Sequence, residues 1–416
     1  MSVIVTVILV AGNLGLIFLL MTVPLGLRTV RVSRVVAADR HRLWQALWPF
    51  GSDAGWSGEI LSAEPLDCEG MTLVKLSWEG RDGQPIERKA VFEDVVEESR
   101  FSMRVIDDTA LDPSFWANYR ETAELVPEGD ATRVTLTQTD RYRGLAFLIF
   151  RYFALRRELG KLQLWVRTGE FRKGGWFEHP LSQVGFAVLS AFILWPFFGL
   201  NPGGLILAAI LTSVVALHEL GHMAAFRLTG HRRARMIFIP LLGGIAIGGR
   251  PYDSRFEVAF VALMGAGFSA FLVPVLIAAS GFVGGEGHRL AAALLATLAG
   301  CASLFNIANL VPVWKFDGGQ VLRQICPGPV VLAAASFFLL FALLALGWRA
   351  GFSSSFLLIA GAVFSILSLI TMGSGVKPRH ELKPIQSFDR LAMAGALLAV
   401  FAIHGYGLLW AAAQLA

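Results

Sequence analysis

Charge is what this sequence lacks most. Of its 416 residues, 16% are charged and 55% hydrophobic, and the mean hydropathy is +0.59. Ordinary soluble domains are about 25% charged, so the chain as a whole falls outside that class. Cysteine is scarce too: Cys68, Cys301 and Cys326 are the whole set. Their spacing gives neither a CxxC nor an even framework. That excludes a disulfide-rich exterior scaffold and leaves free or buried thiols. Acidic residues nearly vanish from the second half. After Pro180 there are only Glu219, Asp253, Glu257, Glu286, Asp317, Glu381 and Asp389. The net charge of +5 could suit nucleic acid. Here the arginines flank apolar runs, which fits membrane topology better, and no nucleic-acid partner is expected.

The apolar residues are unevenly placed. Residues 3–27 and most of 181–413 read as membrane, whereas 28–179 carry the charged mixture of a soluble domain. A spanning helix needs about 20 mostly apolar residues. The spans expected on that basis are 3–27, 181–199, 204–228, 256–282, 289–312, 329–347, 353–373 and 390–412, about eight in all. The first lacks a basic start and is followed by Arg28, Arg31 and Arg34. It reads as an uncleaved anchor with its N-terminus outside. Arg227, Arg232, Arg233 and Arg235 after one span, and Lys377, Arg379 and Lys383 in the loop 374–389, place both on the cytoplasmic side. The organisation expected is an anchor over 1–27, a cytoplasmic domain over 28–175, an embedded core over 176–373, and a loop with a last span over 374–416. The fold class is thus a multi-pass α-helical membrane protein with an inserted soluble α+β domain. Alanine, glycine and arginine usage, with no organelle signal, points to a bacterial inner (plasma) membrane.

Within the span 204–228 stands VVALHELGHMAAF, residues 214–226. Ionisable groups at bilayer depth are costly and face a protein interior or a polar cavity. On a helix, residues four apart share a face. His218 and His222 can therefore offer imidazoles to one ion, while Glu219 orients a water. Two nitrogens, one carboxylate and a water suit a catalytic Zn2+. In that role Glu219 removes the water's proton and later hands it to the leaving amine. A HExxH pattern also arises by chance in about 1% of chains this long, and two such histidines can be core residues bonded to their neighbours.

A third ligand is then required. Asp253 and Glu257 frame PYDSRFEV, where Ser254 and Glu257 have capping-box spacing and would start the next helix. Glu286 falls outside, and Glu381 and Asp389 lie in a cytoplasmic loop. Asp317 remains, in NLVPVWKFDGGQ, residues 309–320. It follows an inward-running span and so reaches the depth of His222. A lone DGG is more often a turn; depth and elimination favour Asp317 as ligand. Between the motifs lies RMIFIPLLGGIAIGG, residues 235–249, too short and broken for a span. It reads as a hairpin or re-entrant strand pair, which must pair or line a cavity.

HELGH in a membrane helix followed by NLVPVWKFDGG resembles the site-2 protease family of intramembrane zinc metalloproteases. The resemblance covers roughly 205–325, including the IPLLGG strand region. It implies that His218, His222 and Asp317 bind one Zn2+, that Glu219 is the catalytic acid/base, and that Asn309 contacts the substrate backbone or the polarised carbonyl. The partner implied is a membrane-spanning protein whose helix unwinds locally before hydrolysis. An exposed edge within 235–249 could hold the unwound stretch by strand addition, in which case proline at Ile237 or Ile239 should impair cleavage. One departure is LMGAGFSAF, residues 263–271, which lacks the proline of the family's AGP-type turn and puts local packing in doubt.

Residues 30–172 alternate strand-like and turn-like stretches: TLVKLSW, IERKAVFEDVV, FSMRVI and ATRVTLTQTDRY. A short amphipathic helix, DRHRLWQALW, precedes them and a long one, from LAFLIFRYF onward, follows. This order resembles the START/polyketide-cyclase-like (SRPBCC, helix-grip) domains. The resemblance implies an apolar cavity and a hydrophobic ligand, with Trp44, Trp56, Trp78, Phe92, Phe115 and Trp116 as candidates to line it, although each taken singly also reads as core. His41 alone reads as a surface or core histidine. Two functions follow. One is a zinc metalloendopeptidase acting on transmembrane substrates, gated by the cytoplasmic domain. The other is a membrane-anchored lipid-binding sensor or scaffold with a proteolytically silent zinc core.

Overall fold

The computed structural model describes every residue except 1–10, 13, 14, 17, 68, 69, 172–178, 240–242, 286, 372–378 and 416. By contact the chain divides into two compact units: 1–173 with 373–381, and 174–372 with 382–416.

The first unit is an antiparallel sheet closed on one long helix. Its strands are β1 (Pro24–Val36), β2 (Ile60–Pro65), β3 (Met71–Glu79), β4 (Pro85–Val96), β5 (Arg100–Asp108), β6 (Arg120–Glu128) and β7 (Ala131–Arg143), in the order β1-β7-β6-β5-β4-β3-β2. The first strand pairs with the last, with Val32 opposite Leu136. That pairing joins the two ends of the unit. Between β1 and β2 lies α1 (Arg40–Leu47), capped where the Asp39 side chain accepts the Arg42 N–H at 2.7 Å. The long helix α2 (Leu145–Thr168) buries Leu155, Leu159, Leu162 and Val166. Spacings of four, three and four put these on one stripe, which packs with Val134, Leu136, Leu43 and Trp44 into the domain core.

The second unit is helical. Its elements are α3 (Pro180–Leu194), α4 (Pro202–Leu228), the hairpin β8 (Arg235–Ile239) and β9 (Gly243–Ile247), α5 (Arg255–Gly285), α6 (Arg289–Asn309), α7 (Asp317–Ile325), α8 (Pro329–Arg349), α9 (Ser354–Thr371) and α10 (Ser387–Leu415). Asn201 and Pro202 start α4: the Asn201 side chain accepts the Gly204 N–H at 2.9 Å, and proline at the first position needs no donor. Among the described residues six helices are long and apolar enough to cross a membrane: Pro180–Phe198, Pro202–Leu228, Arg255–Gly285, Arg289–Asn309, Pro329–Arg349 and Ser387–Leu415. The central one is α5, whose apolar window is 56% buried against 11% for the first.

Two of the eight expected spans are not among these six. The stretch 353–373 forms a shorter apolar helix, Ser354–Ile370. Of the expected anchor 3–27, residues 3–10, 13, 14 and 17 lie outside the described residues, the described ones up to Met21 are helical, and its end is not helix. From Pro24 the chain is strand β1, because proline cannot continue a helix and Gly26, at φ 73°, sits where the ladder slips. The segment 235–249 does form the expected strand pair, with Arg235 opposite Ile247 and Ile239 opposite Gly243.

Candidate metal centre

His218 and His222 lie one turn apart on α4, and their Nε2 atoms are 3.1 Å from each other. The Oδ2 atom of Asp317 stands 3.1 Å from His218 Nε2 and 3.4 Å from His222 Nε2. Tetrahedral zinc with bonds of about 2.0–2.1 Å would hold its ligand atoms about 3.3 Å apart. The triangle therefore has the size of one zinc face. This is the only group of its kind among the described residues.

The tautomers agree with that role. The His218 Nδ1–H donates to Asn306 Oδ1 at 2.8 Å, and the Asn306 amide is turned to do so because its Nδ2–H donates to the Ala302 carbonyl at 2.7 Å. The His222 Nδ1–H donates to the Val261 carbonyl at 2.7 Å. With both Nδ1 atoms protonated, both Nε2 lone pairs face the same point, as metal-binding imidazoles do. Asp317 Oδ2 is buried and makes no hydrogen bond of ordinary geometry. A divalent cation would satisfy all three atoms, so the donor set fits zinc.

The local sequence explains how the three meet. An added Cβ at Gly265 would lie 2.5 Å from His222 Nε2 and 2.6 Å from His218 Cε1, so a glycine is needed where α5 crosses the imidazoles. The stretch 263–271 thus packs tightly although it lacks a proline. Asp317 is brought in by a tight return after α6. A Cβ at Gly318 or Gly319 would come within 1.9 Å of the Leu310 or Val313 carbonyl oxygen. Both glycines of DGG are required by close approach, not merely by a turn. Arg323 locks the return, its guanidinium 3.9 Å over the Trp314 ring and donating to the Trp314 carbonyl at 2.9 Å.

Glu219 is not among the ligands. Its Oε2 accepts the Ala246 N–H of β9 at 2.9 Å. With His218, Asn309, Thr212 and Phe238 it lines a cavity of about 380 Å³. Asn309 spends its Nδ2–H on the Phe305 carbonyl at 3.0 Å. Asn306, which the sequence did not single out, holds the position against His218 instead. On the outer side of β8 the Phe238 N–H donates to the Gln183 side chain of α3. Phe238 and Ala246 thus have N–H groups bonded outside the ladder. Ile237 and Ile239 pair with Ile245 and Gly243 across it.

The remaining acids of this unit have other work. Ser254 starts α5 as its spacing suggests, accepting the Glu257 N–H at 3.1 Å. The Glu257 carboxylate does more than cap: it meets His231 Nε2 at 2.8 Å, Arg250 Nη2 at 2.7 Å and the Asp253 N–H at 2.5 Å. Asp253 holds Lys383 Nζ at 2.7 Å. Glu286 lies outside the described residues.

The first unit also has a cavity, of about 170 Å³. Of the six aromatics expected to line it, Trp56 does. Trp44 is core and stacks on Trp48 at 5.3 Å, where Phe92 also packs. Trp116 joins a separate cluster with Val105 and Tyr119. Trp78 and Phe115 are exposed. Large rings on half-buried strands do not reveal from sequence which face they take. His41 is a surface residue 2.6 Å from Glu98, whose carboxyl it holds below its usual range.

No family model matches the chain, and no curated protein matches it. Among solved structures it is similar to a START superfamily protein from Mycobacterium smegmatis, at 14% identity over 34% of this chain and 97% of that one, TM-score 0.26. The Aha1 dimer from Colwellia psychrerythraea is similar at 11% identity over 34% and 98%, TM-score 0.27. The Mll3558 protein from Rhizobium loti is similar at 23% identity over 33% and 96%, TM-score 0.25. Similarity at this level carries no activity across.

Proposed function

We propose that the second unit is an intramembrane zinc metalloprotease of site-2 protease type, hydrolysing peptide bonds of membrane-spanning proteins near the cytoplasmic side. One observation carries this reading: two imidazole Nε2 atoms and one carboxylate oxygen surround a single point, and each imidazole is oriented through its Nδ1–H. His218, His222 and Asp317 would hold the ion, which would supply a Lewis acid and a water of lowered pKa. Glu219 stands beside the ligands without joining them, which suits a group that takes and returns a proton. At rest it holds the Ala246 N–H. An unwound substrate stretch laid along β9 competes for that N–H and frees the carboxylate. Asn309 lies on the cavity wall, and in this reading it contacts the substrate backbone.

The first unit, in this reading, is a START/polyketide-cyclase-like module on the cytoplasmic face of an inner membrane. It binds a hydrophobic ligand and gates the protease. The deciding experiment compares membrane proteomes of cells expressing the wild type or Glu219→Gln, alongside zinc content of both purified chains. A single-span protein that loses a cytoplasmic fragment only with Glu219 present supports the proposal. Stoichiometric zinc in both chains, with no Glu219-dependent fragment, would leave a zinc-binding scaffold. A folded chain without zinc would overturn the metal centre itself.

A further inference from the structure

The cavity of the first unit has an uneven lining. Val74, Leu76, Phe101, Ala123 and Leu136, all buried, form its apolar wall. Its charged groups are three carboxylates, Glu59, Glu121 and Glu158, and one guanidinium, Arg88. Arg88 faces other groups, and its Nε is buried without a hydrogen-bond partner. It lies 4.5 Å over the Trp116 ring and 3.7 Å from Asp108. Glu121 is held as an oriented acceptor, bonded by the Tyr119 hydroxyl at 2.6 Å and by Gln138 Nε2 at 3.0 Å. Glu158 projects from α2, a helix otherwise packed through leucines, and carries no hydrogen bond or ion pair among the described residues. An apolar chamber thus ends in carboxyl groups that the protein does not neutralise. The carboxylates do not gather as a compact metal set either, since the one such group among the described residues is His218, His222 and Asp317.

We propose that this cavity binds a small organic cation, an amine with an apolar body, whose ammonium group sits between Glu158 and Glu121. The inference rests on reading the first unit as a module for hydrophobic ligands, and it adds what the polar end of that ligand must be. Size sets a limit: an apolar cavity of about 150 Å³ takes benzene, so the ligand's body is about one ring or a six-carbon chain. Charge sets the sign. Burial, with Glu121 and Glu59 beside it, pushes the Glu158 carboxyl up to about 8, while Arg151 and Lys161 oppose the rise. A bound ammonium favours the ionised carboxylate, so binding releases a proton from Glu158 near neutral pH.

The test uses the full chain in lipid nanodiscs, titrated calorimetrically with 2-phenylethylamine, 2-phenylethanol and 3-phenylpropionate, with empty nanodiscs subtracted. The amine should bind at least about tenfold more tightly than the alcohol, as expected when one hydrogen bond to a charged group is gained. The carboxylate should bind weakest. Glu158→Gln should erase that preference while leaving the alcohol's affinity intact, and Glu121→Gln should reduce it. Amine affinity should rise between pH 6 and pH 8.5. If the alcohol binds and the amine binds no better, the cation inference falls and the hydrophobic-ligand reading stands. If neither substitution lowers the amine's preference, the inference also falls. If none of the three probes binds, both fall.

Discussion

His218 donates its Nδ1–H to Asn306 Oδ1 over 2.8 Å, from α4 to α6. The bond fixes the ring so that Nε2 points at Asp317. It is worth more than its own energy, because the orientation of the ligand depends on it. Losing such a partner typically weakens metal binding by about 10–100-fold. Asn306→Leu should therefore lose zinc at chelator concentrations that the wild type withstands. Asn306→Asp keeps an acceptor and should hold zinc at least as well as the wild type. Zinc content after graded chelation checks both, and equal retention by Asn306→Leu would remove Asn306 from the centre.

Gly244 touches Glu219, the proposed acid/base. A Cβ there would lie 2.3 Å from Glu219 Cγ and 3.1 Å from its Cβ. Gly244→Ala must push the Glu219 carboxylate aside without touching a metal ligand. A displacement of about 1 Å at a reacting group can cost about 100-fold in rate. The expected outcome is full zinc content with loss of the Glu219-dependent fragment. Loss of zinc instead would mean that the hairpin supports the ligands rather than Glu219.

These two predictions differ in how visible they were beforehand. The i, i+4 spacing of His218 and His222 declares a shared helix face, and so few acids follow Pro180 that elimination, with membrane depth, reaches Asp317. Asn306 and Asn309 lie three apart on one helix, nearly one turn. Which of them faces α4 depends on how α6 is rotated by packing, and no local signal carries that. The sheet of the first unit shows the same division. β3, β4, β5 and β7 announce themselves by alternating apolar residues. β6 carries Arg120, Glu121 and Glu124 on a strand whose partners lie on both sides, so its charge masks it. The start of β1 hides in an apolar run that reads as continuous with the preceding segment until Pro24 breaks it. Glu158 is hidden for the opposite reason. Within LRRELGKL it looks like one charge of a solvated face, and only the fold of β6 and β7 reveals a cavity beside it.

Glu257 offers a test of the scaffold without touching the metal ligands. It is 4% exposed, and it answers His231, Arg250 and the Asp253 N–H together. Glu257→Ala would strand the fully buried His231 and take the carboxylate from Arg250, leaving that guanidinium only the Thr229 and Pro251 carbonyls. Removing one partner of a buried ion pair costs about 3–5 kcal/mol. The substituted chain should unfold at clearly lower temperature in the same detergent, followed by loss of its helical circular dichroism. An unchanged transition would show that water replaces the carboxylate and that the cluster is dispensable.

The Glu158 carboxyl makes a prediction about pH. Its value in the fold is about 8, against 4.5 when free, because burial and the neighbouring Glu121 and Glu59 disfavour its charge. The folded state therefore holds a proton that the unfolded chain releases above about pH 4.5. Stability falls wherever the native state binds more protons than the unfolded one. Glu158 thus costs nothing below its unfolded value, costs more as pH rises from about 4.5, and reaches its full penalty once pH passes about 8. Glu158→Gln carries no such charge. The wild type should lose thermal stability relative to Glu158→Gln between pH 5 and pH 8, and the gap should stop widening above that. Tryptophan fluorescence melts of the full chain across this range would show it, Trp56 being on the same cavity wall. A gap that is flat, or that narrows with pH, would mean that Glu158 is ionised in the fold, with a cation or water already beside it.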